Sequence, residues 1–378
     1  MYRQSGRRMK YARGPWRRAG SLFSCLCIAL LCSICMTTCS PHIPPRPLPD
    51  LQMPGVSKVP GFESFSKSAT NGYPPQALGR LTAYQPEGPG QPGRALLPLG
   101  GNLYDIGLDG KAPRVVPVAN TCSDRPSISP DGRWLLCSNT EGVITLDLQW
   151  PSPGNVQIAL ADQTRPELAT FSPDGRRFIV TQFADKDCEL GVYASEPPHR
   201  DSRPVTELLF PDLVEVGETW AGGFAHACVI SDVGWSPDGN WIAFIAGRPN
   251  ADVTSRLYAL NLSAIALPSS TATDPTRIIT IPSSAVNDLG AGHDFGVVGT
   301  HLTWPHAFDT VSMPAGNEII NINLRTNERR VVLSVEDAQF CAASWTPDGV
   351  QLFFALCRPY PSNPDTSAPP ARPYLYTP

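Results

Sequence analysis

The sequence predicts an all-β chain built as a ring of short four-stranded units, on three observations. The 31 glycines and 41 prolines among 378 residues break the chain too often for long helices, because proline disrupts helix interiors and central strands alike. Apolar residues reach 42%, enough for a core and too many for a disordered chain. One tetrapeptide also recurs four times, each time between two short apolar runs: Ser129-Pro130-Asp131-Gly132, Ser172-Pro173-Asp174-Gly175, Ser236-Pro237-Asp238-Gly239 and Thr346-Pro347-Asp348-Gly349.

The first element is an export segment. All charge in residues 1–38 is positive (Arg3, Arg7, Arg8, Lys10, Arg13, Arg17, Arg18), and an uncharged, mostly apolar run from Ser21 to Thr38 follows. That order reads as a signal peptide or membrane anchor over 1–38, with the extreme N-terminus kept cytoplasmic and the remainder sent outward. Eighteen residues stand at the lower edge of what spans a bilayer. The run ends at Met36-Thr37-Thr38-Cys39-Ser40, which resembles the lipobox of bacterial lipoproteins. That resemblance implies cleavage before Cys39 and a lipid on its thiol, although Met36 and Thr38 depart from the preferred residues. An uncleaved anchor and ordinary secretion stay open.

The second element, residues 39–60, holds seven prolines between Pro41 and Pro60. It is expected to be a stiff, extended tether rather than a folded unit. Removing 1–38 takes seven basic residues and leaves 23 Lys+Arg against 34 Asp+Glu, a net charge of −11. Phosphate backbones repel such a chain, which excludes nucleic-acid binding as its main role.

The third element, residues 61–378, is expected to be a six-bladed ring. In each tetrapeptide proline presets φ, Asp bonds back to the nearby backbone, and Gly takes φ > 0, which together make a tight hairpin. An apolar anchor precedes each turn (Ile128, Phe171, Trp235, Trp345), and an apolar strand follows it. Degenerate copies are anchored at Tyr84 and Trp304, so the anchors are spaced by 44, 43, 64, 69 and 41 residues. Repeats of ~40–45 residues with four strands are the blades of a β-propeller. The fourth strand of the unit anchored at Trp235 is expected at Arg277–Ile281. The last unit is one strand short, and residues around Phe62–Ser68 are expected to supply the missing strand and close the ring.

These motifs resemble the WD40-like propeller repeats of the TolB type. The resemblance covers the chain beyond the tether and implies a six-bladed, extracytoplasmic propeller that works by binding proteins. TolB carries an extra N-terminal α/β domain where this chain has a Pro-rich spacer, so its Tol–Pal partnership does not carry over. The turn aspartates are expected to be structural.

Six cysteines remain in the ring: Cys122, Cys137, Cys188, Cys228, Cys341 and Cys357. An even number in an exported domain favours disulfides. Up-and-down strand order places all six toward the face opposite the tetrapeptide turns, and pairing in sequence order is expected (122–137, 188–228, 341–357). The long insertions around Pro211–Ile230, Ser283–Thr300 and Pro359–Ala371 emerge on that same face. Two of them bear the Gly-rich stretches ending at His226 and surrounding His293. With His301 these form a candidate metal set at the channel mouth, while Trp220, Phe224 and Phe295 form a candidate partner-binding patch. The plainer expectation is loops that turn on glycine and histidines satisfied locally.

No nucleophile elbow, zinc-protease helix, phosphate loop or dinucleotide fingerprint occurs in the sequence. The resulting expectation is a monomeric, membrane-tethered propeller of the bacterial envelope, without cofactor or catalysis. Its partner is an unidentified envelope or extracellular protein or peptide. The alternative is a small-molecule or metal site at the channel mouth, enzymatic in its sharpest form.

Overall fold

Each tetrapeptide folds as its chemistry demands. The anchor pairs with the residue seven positions on, as in Ile128↔Leu135, Phe171↔Phe178, Trp235↔Ile242 and Trp345↔Leu352. Glycine closes the turn at φ between 66° and 74° in all four copies, a region costly for any residue with a Cβ. The Ser or Thr hydroxyl donates to the Asp carboxylate, at 2.6 Å for Ser172–Asp174 and Ser236–Asp238. It also accepts from the first amide of the next strand (Trp134, Arg177, Trp241, Gln351) at 2.8–3.0 Å. The same carboxylate oxygen accepts the amide two residues beyond it, at Arg133, Arg176, Asn240 and Val350. The turn aspartates are therefore structural.

The computed structural model describes residues 51–378 except 60–80, 87–91, 100–101, 110–112, 117–124, 140–141, 150–156, 162–165, 183–186, 201, 212, 214–227, 248–254, 266, 269–277, 292–300, 306, 308, 337 and 358–371. Among the described residues there is no α-helix. The strands form six small sheets, the blades of a six-bladed β-propeller.

The strand β1 (Val56–Lys58) precedes blade 1, which runs β2 (Thr82–Tyr84), β3 (Arg94–Leu99), β4 (Asn102–Gly107) and β5 (Arg114–Val116). Blade 2 runs β6 (Ser127–Ile128), β7 (Trp134–Asn139), β8 (Gly142–Asp147) and β9 (Gln157–Ala161). Blade 3 runs β10 (Pro166–Phe171), β11 (Arg177–Gln182), β12 (Cys188–Ala194) and β13 (Arg203–Phe210). Blade 4 holds β14 (Val229–Trp235), β15 (Trp241–Gly247) and β16 (Arg256–Asn261); after β17 (Ile278–Thr280) its outer strand is β18 (Val286–Ala291). Blade 5 has β19 (Thr310–Ala315), β20 (Glu318–Asn323) and β21 (Arg329–Ser334), and its innermost position is the single bridge Thr303↔Ser312. Blade 6 runs β22 (Gln339–Trp345), β23 (Leu352–Cys357) and β24 (Arg372–Tyr376).

Two expectations are corrected here. The strand that closes blade 6 is β1, which pairs antiparallel with β24 through Val56↔Tyr376 and Lys58↔Tyr374. It lies inside the stretch read as tether; Phe62–Ser68 lies outside the described residues. Its short Val-Ser-Lys run suffices because it only caps an edge whose core side is already buried by Tyr374. In addition, Ile278–Thr280 is not the fourth strand of blade 4. It crosses the seam and pairs parallel with β13 through Glu207↔Ile278 and Leu209↔Thr280, while Val286–Ala291, read as part of an insertion, completes blade 4.

The core is laid down seam by seam. Six apolar clusters each join two neighbouring blades, for example Leu190, Leu208 and Phe210 of blade 3 with Phe244 and Leu260 of blade 4. Phe353 and Ala355 of blade 6 join Leu97 and Ile106 of blade 1 in the same way, across the point where the ring closes. Each large side chain buried this way contributes roughly 1.5–3 kcal/mol, so the ring is held by packing between blades as much as by pairing within them.

Candidate functional site

Neighbouring blades are linked by at least one polar or covalent bridge at every seam. Thr82 Oγ1 donates to Pro126 O at 2.8 Å (blades 1–2), and the Phe171 amide donates to Ser127 Oγ at 3.1 Å (blades 2–3). Cys188 and Cys228 form a disulfide between blades 3 and 4. The Leu302 amide donates to Asp232 Oδ2 at 2.5 Å (blades 4–5), the Trp345 amide to Thr303 Oγ1 at 2.8 Å (blades 5–6), and the Ala83 amide to Ser344 Oγ at 3.0 Å (blades 6–1).

His301 belongs to this ring. It is buried, and its Nδ1 lies 3.9 Å from Asp232 Oδ2. Asp232 is a neighbour that sequence reading missed, because the 68 residues between them are folded away only by the closure of blade 4. His226, His293, Trp220, Phe224, Phe295, Cys39 and Cys122 lie outside the described residues.

The face opposite the turns is braced covalently. Cys188 opens β12 and Cys228 immediately precedes β14, so their bond joins two blades at the foot of the segment 214–227. Their Cα atoms are 5.1 Å apart across a sequence separation of 40. This is the expected 188–228 pair. Cys137 and Cys341 are disulfide-bonded as well. Their expected partners fall on Cys122 and on the side chain of Cys357, outside the description; in the backbone Cys341 occupies the bulge beside the Gln339↔Cys357 pair.

Beside the same disulfide stand two acids that no motif announced. Glu189 and Glu207 occupy neighbouring strands, where Glu189 pairs with Leu209 and Gly191 with Glu207. Burial, then a hydrogen bond and repulsion from Glu207, and finally Asp187, push the Glu189 carboxyl up to about 7. Only the hairpin register brings these acids together.

On the turn face the seams differ. Between blades 1 and 2 the seam is tightly closed: a Cβ on Gly132 would stand 1.8 Å from the Gln85 carbonyl oxygen. Beside it the fully buried Asp105 accepts from Tyr84 OH at 2.9 Å, Arg94 Nε at 2.7 Å and Arg114 Nε at 2.5 Å.

Between blades 2 and 3, His199 fills the seam. The loop Ser195–Ser202 carries a cis Pro197–Pro198 bond and holds His199 at φ 62°. Its ring lies between Trp134 and Phe171, at centroid distances of 5.7 and 4.9 Å, with Nδ1 3.0 Å from Ser195 Oγ. Burial lowers its pKa to about 4, against a small opposing pull from Asp131. His199 is therefore neutral in the folded chain and a packing element.

Between blades 3 and 4 the seam opens into a groove of about 510 Å³. Trp235, Leu262, Ile265 and Leu267 wall it, and Asp174, Arg177 and Asp238 stand at its rim. The chain leaving β16 makes the outer lip: Asn261 Oδ1 accepts the Ser263 amide at 2.9 Å, and Arg177 Nη2 donates to Pro268 O at 3.1 Å. Although burial opposes it, the Ser172 and Ser236 hydroxyls and the backbone amides hold the Asp174 and Asp238 carboxyls below the usual carboxylate range. Both are ionised at neutral pH.

Several solved structures are similar to the chain. A calcium-binding protein, regucalcin, from Agrobacterium tumefaciens shares 13% identity over 80% of this chain and 90% of its own, with a TM-score of 0.46. TolB from the same organism shares 15% over 67% of this chain and 76% of its own, at 0.40. TolB from Acinetobacter baumannii shares 13% over 73% and 59%, at 0.38. The fold itself is the six-bladed β-propeller described above. No family model matches the chain, and no curated protein does.

Proposed function

We propose that the chain is an exported, membrane-tethered propeller that binds an envelope or extracellular protein or peptide and catalyses no reaction of its own. In this reading residues 1–38 direct export, Cys39 carries the lipid, and the proline-rich stretch that follows holds the ring off the membrane. The observation that carries it is the Cys188–Cys228 disulfide at the foot of 214–227. It joins two blades directly beside residues 214–227 in sequence; in this reading those residues form a binding loop, and a loop mounted on a braced frame loses less entropy on binding. Disulfide-bonded cysteines on blades 2, 3, 4 and 6 suit an oxidising compartment outside the cytoplasm.

Site-specific photo-cross-linking in cells tests it. A photoreactive residue at Trp220 or Phe224 is expected to give a discrete higher-mass adduct, whereas one at Val350, exposed beside the blade 6 turn, gives none. Adducts from all three positions, or from Val350 alone, contradict the reading.

One observation favours a second reading, a metal or small-molecule site at the channel mouth. His301 stands beside Asp232, and a carboxylate with imidazoles makes a workable ligand set. Stoichiometric metal in the purified protein, lost on His293→Ala, would decide for it.

A further inference from the structure

The groove between blades 3 and 4 is a built feature of the turn face. A Cβ on the turn glycine would meet the preceding blade at 1.8 Å for Gly132 and 3.2 Å for Gly175, but at 3.9 Å for Gly239. The seams thus open progressively, and the third is neither pressed shut nor plugged by a side chain as His199 plugs the second. It is propped open by the excursion from Leu262 to Pro268, which Arg177 pins by its bond to Pro268.

We infer that this groove holds a basic side chain of an extended peptide segment, its stem along Trp235 and Leu267 and its charge at Asp238. Lysine and arginine are apolar along the stem and charged at the tip, and the groove has that same polarity from wall to rim. Of the two rim carboxylates, Asp174 is answered by Arg176 and Arg177. Asp238 is held by neutral donors, the Ser236 hydroxyl and the Asn240 amide and side chain, so its charge is left for a ligand. The volume exceeds what one side chain needs and leaves room for its neighbours in the peptide. The net charge of −11 beyond residue 38 steers cationic segments toward the ring. This surface faces away from the Cys188–Cys228 disulfide, and the inference stands or falls independently of the binding face proposed there.

The test uses the full-length chain and a fluorescent peptide, Pro-Leu-Arg-Pro-Leu with both ends blocked, beside its citrulline analogue, which keeps the shape and removes the charge. Anisotropy titration is expected to show saturable binding of the arginine peptide, with the citrulline peptide at least about fivefold weaker. Asp238→Asn keeps the acceptor that the turn needs and is expected to erase that difference. Asp131→Asn, the same change in the blade 2 turn, leaves it intact. Equal binding of the two peptides by the unaltered chain, or no saturable binding, overturns the inference without reference to any variant. Blocked arginine alone binding as tightly as the pentapeptide overturns it in favour of a small-molecule site.

Discussion

Trp345 donates its indole N–H to the hydroxyl of Ser312 at 2.7 Å, tying blade 6 to blade 5 in a fully buried setting. The anchors of blades 4 and 5, Trp235 and Trp304, have indole nitrogens that are buried and find no acceptor. The register explains the difference. Ser312 pairs with the residue just before its blade's anchor, Thr303; the corresponding residues are Ile179 in blade 3 and Ala243 in blade 4. Neither side chain can accept a hydrogen bond.

Ser312→Ala should therefore orphan Trp345 and lower stability by about 1–3 kcal/mol, measured by urea unfolding. The loss should shrink when the same change is made in a Trp345→Phe background. An undiminished loss would show that the bond contributes nothing to the seam.

Two groups, buried His199 and half-buried Glu189, oppose each other in their pH dependence. His199 has a folded pKa of about 4, below its usual 6.5, so the unfolded chain binds more protons between those values. Its contribution to stability falls as pH drops through that window, by up to about 1.4 kcal/mol per pH unit. Glu189 has a folded pKa of about 7, above its usual 4.5, so its contribution is lost as pH rises through 4.5 to 7. Between 4.5 and 6.5 the two slopes oppose. His199→Asn should leave stability falling with pH, and Glu189→Gln should leave it rising. Chemical denaturation at half-unit pH steps reads both; parallel profiles for the two variants would refute the pair.

The Cys188–Cys228 bond closes a loop of 40 residues, worth about 4 kcal/mol on a chain-entropy estimate. The double change Cys188→Ser/Cys228→Ser should lower unfolding stability by roughly 2–4 kcal/mol and loosen amide protection of the described strands β12 and β14. Unchanged protection there would mean that the bond braces nothing.

If Cys39 carries a lipid, metabolic labelling with a fatty acid should mark the native chain and leave Cys39→Ala unmarked, with the variant accumulating as uncleaved precursor. Equal labelling would remove Cys39 from that role and favour an uncleaved anchor.

The hairpins were legible because their determinants are local. Proline, aspartate and glycine act on their own backbone, and four anchors stand at the ends of four inner strands. The seams were not legible. Ile278-Ile279-Thr280 has the same β-forming character whether it pairs with its own blade or the neighbouring one, and that choice is made by the outer edge of β13. His199 carries no motif, and its role follows from the loop that places it between two rings on different blades. Likewise, nothing local separates Val56–Lys58 from Phe62–Ser68 as the closing strand; the position of β24's free edge decides.

The most direct measurement is recovery of an envelope partner by the native protein and by a variant whose residues 214–227 are replaced with a Gly-Ser linker, at matched thermal stability. Selective loss of one specific protein from the variant's eluate is the predicted result. Recovery of the same proteins in equal amounts by both would contradict the assignment of this face as the binding surface.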